Sequence, residues 1–552
     1  MTTGTTATGM YMPEWLARRA AERPEALAVI DAAAGLRWTF AELEAQATSL
    51  ARHLERLGIG KGDRVAAMLT NGARHVALVH ALIRLGAVLV PINLRLVPSE
   101  VAWQLTFARA RALVHDDASE DGARAAAAGV AGVALIPLDR WQAVVPAPHP
   151  APSEAAGDDA AAAMRRLSEP PRLNLNRVQC VMFTSGTTGR PKGVLLTYGN
   201  HWWSAMASVL NLGLREDDRW LVCLPLFHVG GLAMVMRGVI YGIPLVFPPV
   251  GRDGRGFDPA AVSRTITAER VTLVSVVTVM LQRLLDFWGN DPHPPTLRCA
   301  LLGGGPVAPA VLEDCARRGL PVAQSFGMTE TASQVAALSP IDALRKLGSS
   351  GRPLLPNEIR IRPLADERGA RVSQERLEGE ILVRGPSVTP GYLGADGDLS
   401  RPLAAVDDEG WLPTGDSGRL DHEGYLYVLD RRADLIISGG ENVSPAEVEA
   451  VLLSHPGIVE AGVFGIPDPR WGQGVAAAVV GTNGVTLEPE EVRDFCRSRL
   501  AGYKVPSQIM VAPALPRNAA GKLLRRQLRE EASRAAPAPP SAGGIGASRA
   551  TE

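Results

Sequence analysis

The stretch Thr184–Lys192 concentrates four hydroxyls (Thr184, Ser185, Thr187, Thr188), two glycines (Gly186, Gly189) and two cations (Arg190, Lys192). Glycine lets backbone N–H groups close on an anion, and hydroxyls add donors. Arg and Lys supply charge at phosphate geometry. The combination reads as a polyphosphate cradle between two apolar, strand-like runs. The P-loop spacing Gly-x-x-x-x-Gly-Lys-Ser/Thr is absent. A solvated Ser/Gly turn is the bland alternative. The ordered hydroxyls and the closing Pro191-Lys192-Gly193 weigh against it.

Other residues downstream could join that chemistry. Ser325-Phe-Gly-Met-Thr-Glu330 follows a strand-like run, where open α/β sheets place ligands. Phe326 could stack on a purine, Thr329 could bond an α-phosphate, and Glu330 could hold Mg²⁺, which takes carboxylate and phosphate oxygens together. A capped helix N-terminus explains the same residues equally well. Asp416, in Thr414-Gly-Asp, could accept two ribose hydroxyls. Arg431 could reach ribose or phosphate, or simply pair with Asp434. Lys522 is an ordinary solvated lysine unless a mobile domain delivers its charge to a developing oxyanion. His228 precedes a helix-like apolar run in which Arg237 is the lone charge. A buried guanidinium needs a partner. That partner is either a protein carboxylate or carbonyl, or a carboxylate on the substrate.

The elements that must position these residues alternate. Thr39-Phe-Ala-Glu42 is a capping box, and the helix after it spaces Leu43, Ala47, Leu50, Leu54 and Leu57 along one face before Gly58 stops it. Strands are expected over 65–69, 87–92, 112–114, 271–276 and 300–302. Helices are expected over 75–85, from about 99, and from 309 to 319. Strand–helix alternation implies α/β, with mostly parallel sheets flanked by helices. Residues 347–429 read as a small β subdomain. Ser444-Pro-Ala-Glu447 is a second capping box, opening a small α+β domain. The expected domains are 1–430, with a weakly patterned Ala/Pro-rich segment over 119–171, then 431–530, then a disordered tail over 531–552.

Composition closes off other classes. With 46% hydrophobic and 21% charged residues, the chain can bury two or three domains. A net charge of −1 gives no electrostatic case for nucleic acid or an anionic membrane. Five scattered cysteines lack metal-ligand spacing and suit a reducing compartment. No signal-peptide pattern opens the sequence. Leu221–Val250 is broken by Arg237, glycines and Pro244, so no integral membrane segment is expected. These features suit a cytoplasmic location. A homodimer or higher homo-oligomer is allowed but not required.

Taken together, in order and type, these motifs resemble the adenylate-forming superfamily of acyl-CoA synthetases, adenylation domains and luciferases, over about 37–530. The resemblance implies that ATP, Mg²⁺ and CoA act with a small-molecule carboxylic acid. It implies that Thr184, Ser185, Gly186, Thr187, Thr188, Gly189 and Lys192 close over pyrophosphate. Gly303, Gly304, Gly305 and Phe326 border adenine, with Gly303 also beside the acid. Thr329 touches the α-phosphate, Glu330 and Thr184 attend the metal, and Asp416 and Arg431 hold ribose. Lys522 bridges the acyl carboxylate and phosphate, with Glu330, Thr329 and His228 completing the catalytic set. The C-terminal domain would swing about a hinge near 431–434 between adenylation and thioester formation. Ala433 replaces the usual polar hinge residue, and Asn518 stands where Thr is common.

Several longer strings tighten the resemblance. Leu301-Leu-Gly-Gly-Gly-Pro306, Gln324–Gln334, Arg345–Leu354 and Leu429–Asn442 look like the family of 2-succinylbenzoate–CoA ligases of menaquinone biosynthesis. That acid is a dicarboxylate: the succinyl carboxyl is activated and the ring carboxyl must be held. His228 and Arg237 are the expected acid-binding residues. The rivals are another aryl- or fatty-acyl-CoA synthetase, an adenylation domain serving a carrier protein, and a catalytically dead ATP-binding protein.

Overall fold

A computed structural model of the chain describes residues 9–139, 172–184, 191–249, 257–304, 307, 309–343, 345–363, 378–430, 435–482, 487–516 and 523–535. They fall into a larger unit, which takes in the described residues up to Asp430, and a smaller unit, which takes in Leu435–Ser498 and those from Tyr503 onward. The fold is α/β.

The larger unit is built on two big sheets. One has nine strands in the order Arg352–Pro353, Ser333–Ala337, Val322–Met328, Cys299–Gly303, Leu273–Val277, Trp220–Val222, Leu245–Phe247, Leu27–Asp31 and Leu36–Thr39. Its centre is parallel and its margins antiparallel. Central strands such as Leu273–Val277 are apolar and almost wholly buried, because a parallel sheet is covered on both faces. The other has seven strands in the order Gly391–Tyr392, Lys192–Thr197, Val178–Thr184, Val88–Pro91, Arg64–Met68, Ala112–His115 and Ala134–Pro137. One apolar core joins residues of both sheets to the helices Phe40–Arg56, Ala73–Leu85, Tyr198–Leu212 and Val229–Tyr241. Helix Phe40–Arg56 starts with the expected box: Thr39 Oγ1 accepts from the Glu42 N–H at 3.2 Å, and Glu42 returns a bond to the Thr39 N–H at 2.8 Å. A four-stranded antiparallel sheet, Glu358–Pro363, Gly379–Arg384, Leu412–Leu420 and Leu426–Asp430, forms the small β portion.

The smaller unit pairs the long hairpin strands Ile458–Asp468 and Gly472–Gly481, adds Gln508–Val511 in parallel, and carries helices Pro445–Leu453, Pro489–Arg497 and Arg525–Ala535. Among the described residues, no helix is long and apolar enough to cross a membrane.

Some expectations are corrected. The segment beginning at 119 is not uniformly irregular: it opens with helix Glu120–Ala127 and strand Ala134–Pro137. Arg352–Pro353 edges the nine-stranded sheet rather than the β subdomain. The second capping box does not form. Ser444 makes no side-chain cap bond, and the Glu447 carboxylate instead pairs at 2.7 Å with buried Lys504. The buried Lys504–Glu447 pair outweighs the cap, because either ion left alone there would be costly.

A buried carboxylate cluster in the larger unit makes stability depend on pH. Arg84 donates to Glu14 at 3.0 Å and Thr48 at 2.7 Å, and pairs with Glu44 at 2.5 Å. Two carboxylates thus share one guanidinium. Burial pushes the Glu44 carboxyl from 4.5 up to about 7, against the attraction of Arg84. A raised acid pKa favours the fold while protonated, so this contribution is full below pH 4.5 and lost as pH rises through 7. Glu44→Gln removes the ionisation. Its stability relative to the parent should rise with pH by about 3 kcal/mol, at about 1.36 kcal/mol per pKa unit. Denaturant unfolding at pH 5 and pH 8.5 checks this, and a pH-independent difference would contradict it.

Candidate active site

The glycine- and hydroxyl-rich stretch is the connection of a β-hairpin. Strand Val178–Thr184 pairs antiparallel with Lys192–Thr197, and Thr184 lies opposite Lys192. The two ends of the cradle are therefore held together by backbone hydrogen bonds. Ser185, Gly186, Thr187, Thr188, Gly189 and Arg190 lie outside the described residues.

Beyond Lys192 the hairpin gains an edge strand. Tyr392 pairs with Val194, and the Leu393 N–H donates to the Gly193 carbonyl at 2.7 Å. The Tyr392 ring thereby sits under the Lys192 ammonium, with Nζ 5.0 Å from the centroid. Its hydroxyl donates to Glu330 Oε1 at 3.1 Å. Glu330 is only 6% exposed. Its backbone carbonyl accepts from the Thr389 N–H at 2.7 Å.

Strand Val322–Met328 runs through Ser325-Phe-Gly and ends in a single 3₁₀ turn, Thr329–Thr331, rather than an α-helix. Two non-glycine residues with positive φ follow, Ala332 at 51° and Ser333 at 105°. Such backbone is costly unless its surroundings impose it. Here Thr331 Oγ1 accepts from the Met328 N–H at 2.9 Å and donates to the Ser333 carbonyl at 2.7 Å, while Ser204 donates to the Ala332 carbonyl at 2.7 Å.

Thr329 and Glu330 share one end of the sheet with the glycine turn. Gly303 closes strand Cys299–Gly303 opposite Val277, and Ser325 Oγ donates to the Leu302 carbonyl at 3.0 Å. Gly304 has φ +85°, and a Cβ there would meet Val277 Cγ1 at 3.0 Å, so only glycine fits comfortably. Gly305 lies outside the described residues. Phe326 is not gathered with the others: it is 2% exposed and packs with Val335, Ile361, Ile381 and Leu426 between two sheets. Its ring fills core, and period-2 alternation leaves Ser325 and Gly327 on the more open face.

Asp416 lies on strand Leu412–Leu420, behind Gly415 at φ +75°. Its N–H donates to Thr414 Oγ1 at 3.1 Å, and that hydroxyl donates to the Ile381 carbonyl at 2.7 Å. Asp430 lies opposite Ser417, so the chain leaves this sheet next to Asp416. Arg431 itself, and the hinge expected over 431–434, lie outside the described residues, as does Lys522. In the smaller unit the residues flanking Lys522 are tied, the Leu524 N–H donating to the Pro516 carbonyl at 2.9 Å.

His228 caps helix Val229–Tyr241 through its backbone, its ring 4.8 Å from Phe227. Asn71, in the connection between strand Arg64–Met68 and helix Ala73–Leu85, clamps the preceding turn through Leu224 and Leu226, both at 2.9 Å. A Cβ on Gly231 would lie 2.0 Å from the Pro225 carbonyl oxygen, so the turn can meet the helix only at glycine.

Arg237, on that helix, is 2% exposed. It donates to Ser204 Oγ at 3.2 Å and lies 5.6 Å from the Trp220 ring. Its Nε has no partner, and no carboxylate among the described residues pairs with it. Burial lowers its pKa. Burial and the Arg237 charge hold neighbouring His201 at about 4, so that imidazole is neutral. Ser204 thus connects Arg237 to the strained turn after Glu330. No pattern of residue types in the sequence marks Asn71 or Ser204 as part of this site. Only Tyr392 carries a local signal, an aromatic directly after Pro390-Gly391.

Comparison with known proteins places this geometry. Residues 16–393 match the AMP-binding enzyme family, and 447–522 match the AMP-binding enzyme C-terminal domain. The chain is 46% identical to the 2-succinylbenzoate–CoA ligase of Geobacillus kaustophilus over 524 residues, covering 94% of this chain and 97% of the relative. A double mutant of Bacillus subtilis o-succinylbenzoate CoA synthetase, solved with a CoA-containing product analogue, is similar at 40% identity and a TM-score of 0.81, covering 94% and 98% of the two chains. The same Bacillus subtilis enzyme solved with ATP and magnesium is similar at 41% identity and a TM-score of 0.66, covering 94% and 100%.

Proposed function

The chain belongs to the AMP-binding enzyme family, and from that premise we propose that it joins 2-succinylbenzoate to CoA through an acyl-adenylate, a step of menaquinone biosynthesis. In the first half-reaction an oxygen of the succinyl carboxylate attacks the α-phosphorus of ATP, and the bond to the β-phosphate breaks to release pyrophosphate. In the second, the CoA sulfur attacks the acyl carbon, and AMP leaves with the bonding pair. The observation that carries the choice of acid is Arg237, a buried guanidinium with an unpartnered Nε and no carboxylate among the described residues beside it. A substrate with a second carboxylate supplies the missing counter-charge.

The remaining roles are assigned on the same reading. Thr184–Lys192 takes the β- and γ-phosphates, Gly303–Gly305 border the base, Asp416 and Arg431 hold ribose, and Thr329 meets the α-phosphate. Among the described residues no three His, Cys, Asp or Glu side chains converge on one point. A single buried carboxylate, Glu330, suits Mg²⁺, which is bound through one or two carboxylates plus substrate phosphates. When bound, that ion neutralises phosphate charge and orients the leaving pyrophosphate. We assign the protein to the cytoplasm.

The test is a substrate panel with ATP, Mg²⁺ and CoA, following pyrophosphate and thioester. Turnover should be greatest with 2-succinylbenzoate and should need no carrier protein. Better turnover of benzoate or a medium-chain fatty acid would refute the assignment. Asp416→Ala should raise the KM for ATP by about tenfold to a hundredfold, as expected for losing a charge-assisted bond. An unchanged KM would remove Asp416 from the ribose site.

A further inference from the structure

We infer that Tyr392 is a positioning residue that fixes the metal-binding carboxylate of Glu330 against the phosphate-binding Lys192. The inference rests on the adenylating function proposed above. Two groups assigned to the same triphosphate come from elements far apart in the chain, Lys192 from a strand and Glu330 from a 3₁₀ turn, and one side chain touches both. The hydroxyl donates to Glu330 Oε1 at 3.1 Å, and the ring lies 5.0 Å from Lys192 Nζ. Tyr392 is itself held by the backbone. It pairs with Val194 in the hairpin, and its N–H and carbonyl both bond Leu403, at 2.9 and 2.8 Å. Thr389, three residues before it, holds the Glu330 backbone carbonyl.

The two contacts do different work. The hydroxyl bonds one carboxylate oxygen, Oε1, and so fixes the carboxylate rotamer. The ring face attracts the ammonium and limits the reach of a flexible four-carbon stem. Glu330 and Lys192 are thereby pre-set for one phosphate geometry, which lowers the cost of ordering them when the nucleotide arrives.

Two variants separate the contacts. Tyr392→Phe keeps the ring and removes the hydroxyl, while Tyr392→Leu removes both. Calorimetric titration of ATP at a series of Mg²⁺ concentrations measures binding without turnover. For Tyr392→Phe, the Mg²⁺ concentration giving half-maximal ATP affinity should rise roughly tenfold, as for a lost bond to a charged group. Affinity at saturating Mg²⁺ should stay close to that of the parent. Tyr392→Leu should weaken ATP binding even at saturating Mg²⁺. Both should convert supplied acyl-adenylate and CoA to thioester at the parent rate. An unchanged Mg²⁺ dependence in Tyr392→Phe overturns the inference. So does a loss that is equal at all Mg²⁺ concentrations and in both half-reactions, accompanied by a lower melting temperature. Failure of the parent protein to bind ATP with Mg²⁺ would instead overturn the adenylating function itself.

Discussion

Lys522→Ala is expected to lower the rate of acyl-adenylate formation by about 10²–10³-fold, the usual cost of removing one donor aimed at developing oxyanion charge. Attack of the substrate carboxylate brings two anionic groups together, and a single ammonium between them relieves the repulsion. Lysine suits this task as a compact point charge on a long stem. The loss should be confined to one half of the reaction. ATP–pyrophosphate exchange reports adenylation, and CoA consumption with supplied acyl-adenylate reports thioester formation. The first should collapse and the second should stay near the parent rate. The reverse pattern would show that Lys522 serves CoA rather than the phosphates.

Arg237→Ala should cost about 2–5 kcal/mol in kcat/KM for the dicarboxylate, or about 30- to 5,000-fold, because under the proposed role truncation removes the counter-charge of the substrate's second carboxylate. A surrogate without the ring carboxylate should lose little, since it never engages the guanidinium. The structure sharpens this expectation. Arg237 meets a serine hydroxyl and an indole face but no acid among the described residues. A buried guanidinium maintained only for packing would ordinarily carry a protein counter-ion. An equal loss on both acids would reassign Arg237 to holding Ser204 and the Ala332 turn in place.

What could be read in advance was whatever is local. The hydroxyl–glycine stretch announces itself in consecutive residues, and its flanking apolar runs are the two strands that bring Thr184 opposite Lys192. The Thr39–Glu42 box is a four-residue pattern, and it forms as expected. Ser444–Glu447 is the same kind of pattern and does not form, because Lys504, distant in sequence, takes the carboxylate. Phe326 shows the converse: its position beside Thr329 and Glu330 suggested a purine platform, whereas alternation along its strand turns the ring into the core. Tyr392, Ser204 and Asn71 act through partners 62, 128 and about 150 residues away. No spacing rule within one segment can connect residues that tertiary packing alone brings together.

The most direct measurement follows oxygen. With 2-succinylbenzoate labelled with ¹⁸O in the succinyl carboxylate, one complete turnover with ATP and CoA should place a single labelled oxygen in AMP and none in pyrophosphate. When the ring carboxylate is the labelled group instead, no label should transfer. Label in pyrophosphate, transfer from the ring carboxylate, or unlabelled AMP alongside full thioester formation would each contradict attack of the succinyl carboxylate on the α-phosphorus.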